Sequence, residues 1–224
     1  MLPDLFSGAL TEWSAAGASI ILLAAYHALL LRATRLRPHT TLMGLSRLAR
    51  QAWLSSIIRR RNQEILAVQT LRNSTMAATF FASTAVLFII GLLNLATQAD
   101  TNPILQTSFH ASSPALWQAK VVILVLDFFA AFFSFTSAIR LYNHLGYMVG
   151  GESAYGDIEH LVKDADILML RAGQYYSSGM RLYYYCIPLV FWLFSPYLML
   201  LATTLLVVVL YRVDWVLPPG GGGE

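Results

Sequence analysis

Apolar residues run almost unbroken over four stretches of this chain, 13–31, 76–97, 121–138 and 182–211. Each is close to or longer than the roughly 20 residues a helix needs to cross a hydrocarbon core, so the pattern predicts four transmembrane helices. Between them the apolar positions become periodic. Over 42–58, Leu42, Leu45, Leu48, Ala49, Trp53 and Ile57 fall on one arc, while Arg47, Arg50, Gln51 and Ser55 lie mostly outside it, although Leu54 and Ile58 interrupt the pattern. That predicts an interfacial amphipathic helix. Over 158–173, Ile158, Leu161, Val162, Ala165 and Leu168 or Met169 recur at helical spacing. Asp157 stands as a cap, Glu159 and Lys163 as a spaced pair, and Gly173 as a stop, which predicts a second short amphipathic helix. The fold class is therefore all-α, a polytopic membrane protein with one four-helix domain over 1–217 and a flexible glycine-rich tail at 218–224.

Composition agrees. Of 224 residues, 57% are hydrophobic and only 12% charged, against about 25% charged in a soluble domain. The single cysteine, Cys186, excludes an intramolecular disulfide and every multi-cysteine metal or redox motif. The formal charge of +3 comes with basic residues beside apolar segments and no recognition motif, so nucleic acid is not expected as a partner. Nine of the 15 Lys and Arg residues lie in 32–75, all of them arginine. The positive-inside rule makes that segment, and then 139–181, cytoplasmic, and puts both termini outside. The first apolar segment has no basic leader and no cleavage site, and reads as an uncleaved anchor.

The sharpest anomaly is Asp127, the one acid well inside an apolar stretch, where a lone carboxylate costs several kcal/mol unless it is protonated or partnered. Counting helical rise puts Tyr197 at about the same depth, as a candidate partner. His27 falls nearer the cytoplasmic boundary, which argues against a direct pair with Asp127 and for a packing or headgroup contact. No histidine has metal-like spacing to another or to an acid, so neither metal nor cofactor is expected. Asp164 and Asp166 point to different helix faces. Pro188 and Pro196 predict bends in the fourth span, Tyr183, Tyr184, Tyr185 and Trp215 read as interface belts, and Arg212 and Asp214 as a local pair or as headgroup contacts. Of the run RRRNQEILAVQTLRNS at 59–74, Arg59, Arg60 and Arg61 suit lipid headgroups. Asn62, Gln69 and Asn73, with Arg72 beside them, form a polar stripe expected to face protein around Arg181.

The stretches AVQTLRNSTMAATF at 67–80 and GMRLYYYCIPLVFWLFSPYLMLLATTLLVVVLYRVD at 179–214 resemble the DUF599 family. Gln69, Arg72 and Asn73 match its AVQTxRN pattern, and Gly179, Arg181, Tyr183, Tyr184, Pro188, Trp192, Pro196 and Asp214 match its second motif. Ser195 stands where the family often has glycine. The resemblance implies a multi-pass membrane protein, commonly bacterial and therefore of the inner membrane, and implies no reaction. No catalytic motif is present either, so an enzyme is the less favoured class. The leading expectation is a structural or accessory subunit of a homo-oligomer or larger membrane complex, with membrane lipids and other membrane subunits as partners. An oligomeric channel or transporter using Asp127, and a lipid-linked enzyme, are the alternatives.

Overall fold

The computed structural model describes residues 2–59, 64–99, 114–150 and 157–216, and among these the chain is almost wholly helical. Among the described residues six helices follow one another: α1 (Leu2–Leu36), α2 (Leu42–Arg59) after a 3-10 turn at Pro38–Thr40, α3 (Glu64–Ala99), α4 (Pro114–Gly150), α5 (Ile158–Phe194) and α6 (Pro196–Asp214). Four are long and apolar enough to cross a membrane: α1, α3, α4 and α6, over Leu10–Leu36, Ile65–Gln98, Ala115–Val149 and Pro196–Asp214. The tail at 218–224 lies outside the described residues.

The fourth span differs from the expectation. It does not run continuously over 182–211, because the helix breaks at Ser195, whose extended backbone (φ −163°, ψ 142°) ends α5 and starts α6. Ser195 caps α6 by accepting the Tyr197 N–H, and Pro196 occupies the first helical turn, where its missing N–H costs nothing. Pro188, by contrast, lies buried inside α5 without ending it. The chain reverses at Ser195, so Tyr184 and Tyr185 of α5 pack against Leu206 and Leu210 of α6, and against Tyr26 and Leu30 of α1. The amphipathic stretch expected to stop at Gly173 is instead the first half of α5, capped at Asp157 as predicted, by its acceptance of the Glu159 N–H.

This hairpin moves the end of α6. Val216 N–H donates to Thr40 O at 3.1 Å, and Thr41 and Trp215 form an antiparallel bridge. The end of α6 therefore sits beside the arginine-rich segment that follows α1, not at the opposite end of the bundle as the charge count required. The physical reason is that α5 already runs the depth of the bundle: its Trp192 is level with Glu12 and Lys120 at one end, and its Arg181 reaches Asp214 at the other.

Helices α3, α4 and α5 have 36, 37 and 37 residues, about 55 Å each by helical rise against a hydrocarbon core of about 30 Å. At the arginine end they are joined by α2. There α2 lays Leu54, Ile57 and Ile58 against Ala67 and Leu71 of α3, Leu145 of α4, and Leu161 and Ala165 of α5. Midway along the bundle, α5 approaches α4 closely at Gly179, where a Cβ would meet the Phe135 ring at 2.8–2.9 Å. That ring cannot easily yield, because it stacks on Phe81 and meets Tyr176 and Tyr183 edge-on. Gly179→Ala is expected to cost about 1–3 kcal/mol as overpacking, read as a lower thermal midpoint in detergent. Gly17→Ala, which meets open space, serves as the comparison and should not lower it.

Candidate functional site

The polar groups inside the bundle are arranged in levels. At the end away from the arginines, Lys120 Nζ of α4 lies 2.9 Å from Glu12 Oε2 of α1 and donates to Glu12 Oε1 and to the Trp192 carbonyl of α5, both at 3.0 Å. Trp192 Nε1 donates to Glu12 Oε2 at 2.7 Å. Glu12 is 5% and Lys120 3% exposed, so three helices are joined by a pair almost fully removed from solvent.

Seven residues further along each of these helices stand Ser19, Asp127 and, counting backwards on α5, Tyr185. Seven residues are nearly two whole turns, a drift of about 20°, so these three share the faces that carry the first level, about 10 Å deeper. Ser19 Oγ and Asp127 Oδ2 are both buried, and neither has a hydrogen-bond partner among the described residues. Tyr185 and Cys186 of α5 lie near the Asp127 carboxyl.

The third level begins at the Tyr185 hydroxyl, 2.9 Å from His27 Nδ1. Arg181 Nη1 lies 3.2 Å from His27 Nε2, and arginine can only donate, so Nε2 must accept and Nδ1 carries the proton given to Tyr185 Oη. Arg181 Nη2 also donates to Asp214 Oδ2 at 3.2 Å, and Tyr26 Oη donates to the same oxygen at 2.7 Å. Arg181 and Asp214 in turn line a cavity of about 260 Å³ that opens at the arginine end between α1, α2, α5 and α6. A second cavity, of about 660 Å³ between α4 and α5, is lined by Arg140, His144 and Arg171. Among the described residues, no cluster of His, Cys, Asp and Glu is arranged to hold a metal ion.

A family pattern described as "Protein of unknown function, DUF599" matches residues 14–218, most of the chain. The chain belongs to the DUF599 family. No curated protein and no solved structure matches it.

The polar levels of this DUF599 chain only partly coincide with the residues singled out by sequence. Asp127 is half-buried, with Oδ2 turned inward, but Tyr197 is 70% exposed on the first turn of α6 and does not meet it. The break at Ser195 is the reason, since it lifts Tyr197 to the end of the bundle. Arg181 is held by Asp214 and His27 and does not join the α3 stripe. Gln69, Arg72 and Asn73 are exposed on the far side of α3 from Ala67 and Leu71. A stripe there needs no protein partner, because α3 is longer than a membrane is thick and water can reach its extension. Asn62, Arg60 and Arg61 lie outside the described residues. Arg59 pairs with Glu159 of α5 at 2.8 Å, so Glu159 bridges helices rather than reaching Lys163.

Tyr183 and Tyr185 are interior donors or acceptors rather than interface anchors, Tyr183 Oη donating to Phe81 O at 2.6 Å. Asp214 pairs with Arg181 across the hairpin instead of with Arg212. Asp164 is exposed and Asp166 half-buried, on different faces as predicted, and burial raises the Asp166 carboxyl above its ordinary range. Sequence reasoning missed the Glu12–Lys120 pair altogether. The only signal was a lysine and a glutamate at the apolar edges of two spans.

Proposed function

We propose that this DUF599 protein is an inner-membrane transport protein that handles protons, with Asp127 as the carrier at mid-depth. The observation that carries the reading is the succession of polar levels through one interhelical seam: the arginine-end cavity, Arg181 with Asp214, His27 with Tyr185, Ser19 with Asp127, and Glu12 with Lys120. Ionisable groups inside a membrane are expensive, and they recur where ions or protons pass. A guanidinium keeps its own protons, so His27 relays a proton only when water from the cavity replaces Arg181 at Nε2 and delivers one there, while Nδ1 passes its proton to Tyr185 Oη. In this reading the arginine end is cytoplasmic, the cavity is an inner vestibule, and the Glu12–Lys120–Trp192 level is the outer closure. An unpartnered carboxylate oxygen between two satisfied networks is the place where a proton can be taken up and released.

The test is proton flux into liposomes carrying the full chain and a trapped pH dye, driven by a potassium diffusion potential. Wild type is expected to move protons well above empty liposomes, and Asp127→Asn to return the flux to their level. Wild-type flux no greater than that of empty liposomes would overturn the proposal, as would a full rate in the Asn variant.

A second reading, the structural or accessory subunit, is favoured by one observation. Two of the three levels are closed ion-pair networks, which suit fixed staples between helices. It gains if flux is absent while the protein purifies from native membrane with a constant stoichiometry of itself or of another membrane subunit.

A further inference from the structure

The cavity at the arginine end carries more positive charge than the described residues balance. Its walls carry three guanidinium groups, Arg47 and Arg50 from α2 and Arg181 from α5, against one carboxylate, Asp214. Asp214 Oδ2 is already engaged by Arg181 and Tyr26. Among the described residues no carboxylate pairs with Arg47 or Arg50. Arg50 is half-buried and held in place. Its Nε donates to the Ser46 carbonyl at 3.1 Å, and its guanidinium lies directly against Gly173 of α5, where a Cβ would collide with it. A fixed, partly desolvated cation without a counter-ion is unfavourable, and a bound anion offsets that cost. The guanidinium fork matches phosphate oxygens, and the hydroxyls of Ser46 and Ser177 line the same space. The remaining walls, Leu170 and Met180 among them, are apolar, so the cavity presents cations and hydrocarbon together.

We propose that this cavity binds a phosphate-bearing anion, specifically the headgroup of an anionic phospholipid entering from the adjacent leaflet, with Arg47 and Arg50 as its phosphate ligands. Basic pockets between membrane helices on the cytoplasmic side hold headgroups of this kind. A volume of about 260 Å³ accommodates a phosphate and its neighbouring glycerol carbons while the acyl chains lie outside, along the helices. Free inorganic phosphate has the same recognition chemistry and is the other source to be distinguished. The site stands on the cavity alone, whether or not Asp127 carries protons.

The experiment uses the full chain in nanodiscs of phosphatidylcholine with a minority of phosphatidylglycerol, and counts retained lipids by native mass spectrometry. A parallel titration follows inorganic phosphate binding to delipidated protein. Phosphatidylglycerol is expected to be retained over phosphatidylcholine by roughly tenfold or more, the scale of a charge-assisted contact. Arg50→Gln should lose that preference, and so should Gly173→Ala, which displaces the Arg50 guanidinium without removing its charge. Arg212→Gln, at an exposed arginine outside the cavity, should keep it. Saturable phosphate binding that Arg50→Gln abolishes, with no preference between the lipids, assigns the site to free phosphate. Equal retention of the two lipids with no phosphate binding overturns the proposal, as does a lipid preference that survives both Arg50→Gln and Gly173→Ala.

Discussion

Lys120→Met is expected to destabilise the protein by about 3–5 kcal/mol, because it leaves the Glu12 carboxylate buried without its cation. Methionine fills much of the lysine volume, so a cavity is not the cause. The surviving partner is: Glu12 would keep the Trp192 Nε1 donor at 2.7 Å and lose Nζ, which reaches both of its oxygens. A second contribution goes with it, since Nζ stands 5.4 Å from the Trp192 ring centroid, within cation–π range. Equilibrium unfolding in mild detergent measures the loss, and the double variant Glu12→Gln with Lys120→Met should recover most of it, because no charge is then stranded. The comparison that isolates burial is Arg59–Glu159, whose side chains are 53% and 70% exposed. Glu159→Gln should change stability by less than about 1 kcal/mol. A loss under about 1 kcal/mol for Lys120→Met would mean that the pair is hydrated in the membrane and does not join the helices.

Which of these features could be read from the sequence depended on how far each reaches along the chain. The spans within α1, α3 and α4 followed from unbroken apolar runs, and the Asp157 cap from its place before a periodic stretch, because these signals lie within a few turns of one another. The start of α6 was written locally too, as serine then proline in cap and first-turn positions, but an apolar run of 30 residues concealed it. A continuous run and a tight hairpin have the same composition. Length misled in another way at Gln69 and Asn73. Their stripe looked too polar for lipid only on the assumption that all of α3 is in the membrane, whereas its 36 residues overrun the core. The ion-pair partners of Glu12 and Asp214 could not be read at all. They lie 108 and 33 residues away in sequence and meet only through packing. Asp127 was legible as an anomaly, and its neighbours were not, because the register between α1, α4 and α5 is set by contacts of that kind.

A second charge can be stranded in the same way at the other end of the bundle. Asp214→Ala is expected to cost about 3–5 kcal/mol, by stranding the Arg181 guanidinium and removing the acceptor of the Tyr26 hydroxyl. Both side chains of the Arg181–Asp214 pair are only 12% exposed, so water cannot substitute fully. The two losses share one oxygen, and a double-mutant cycle should show it: Tyr26→Phe, costly in the wild type, should cost little more once Asp214 is gone. The effect should also be local. Asp214 is the last residue of α6, two positions before the Val216 N–H that bonds Thr40, so the contact with Arg181 latches the end of α6 to α5 and, through Thr40, to the turn ahead of α2. Amide exchange at 210–216 should therefore rise more than at 196–203, where the α5–α6 hairpin still holds the helix. Uniform exchange along α6, or a cycle in which the two costs simply add, would show that the residues act separately. The level of Arg181 and His27 would then be a set of independent contacts, unable to pass a change at the cavity on to Tyr185 and the groups around Asp127.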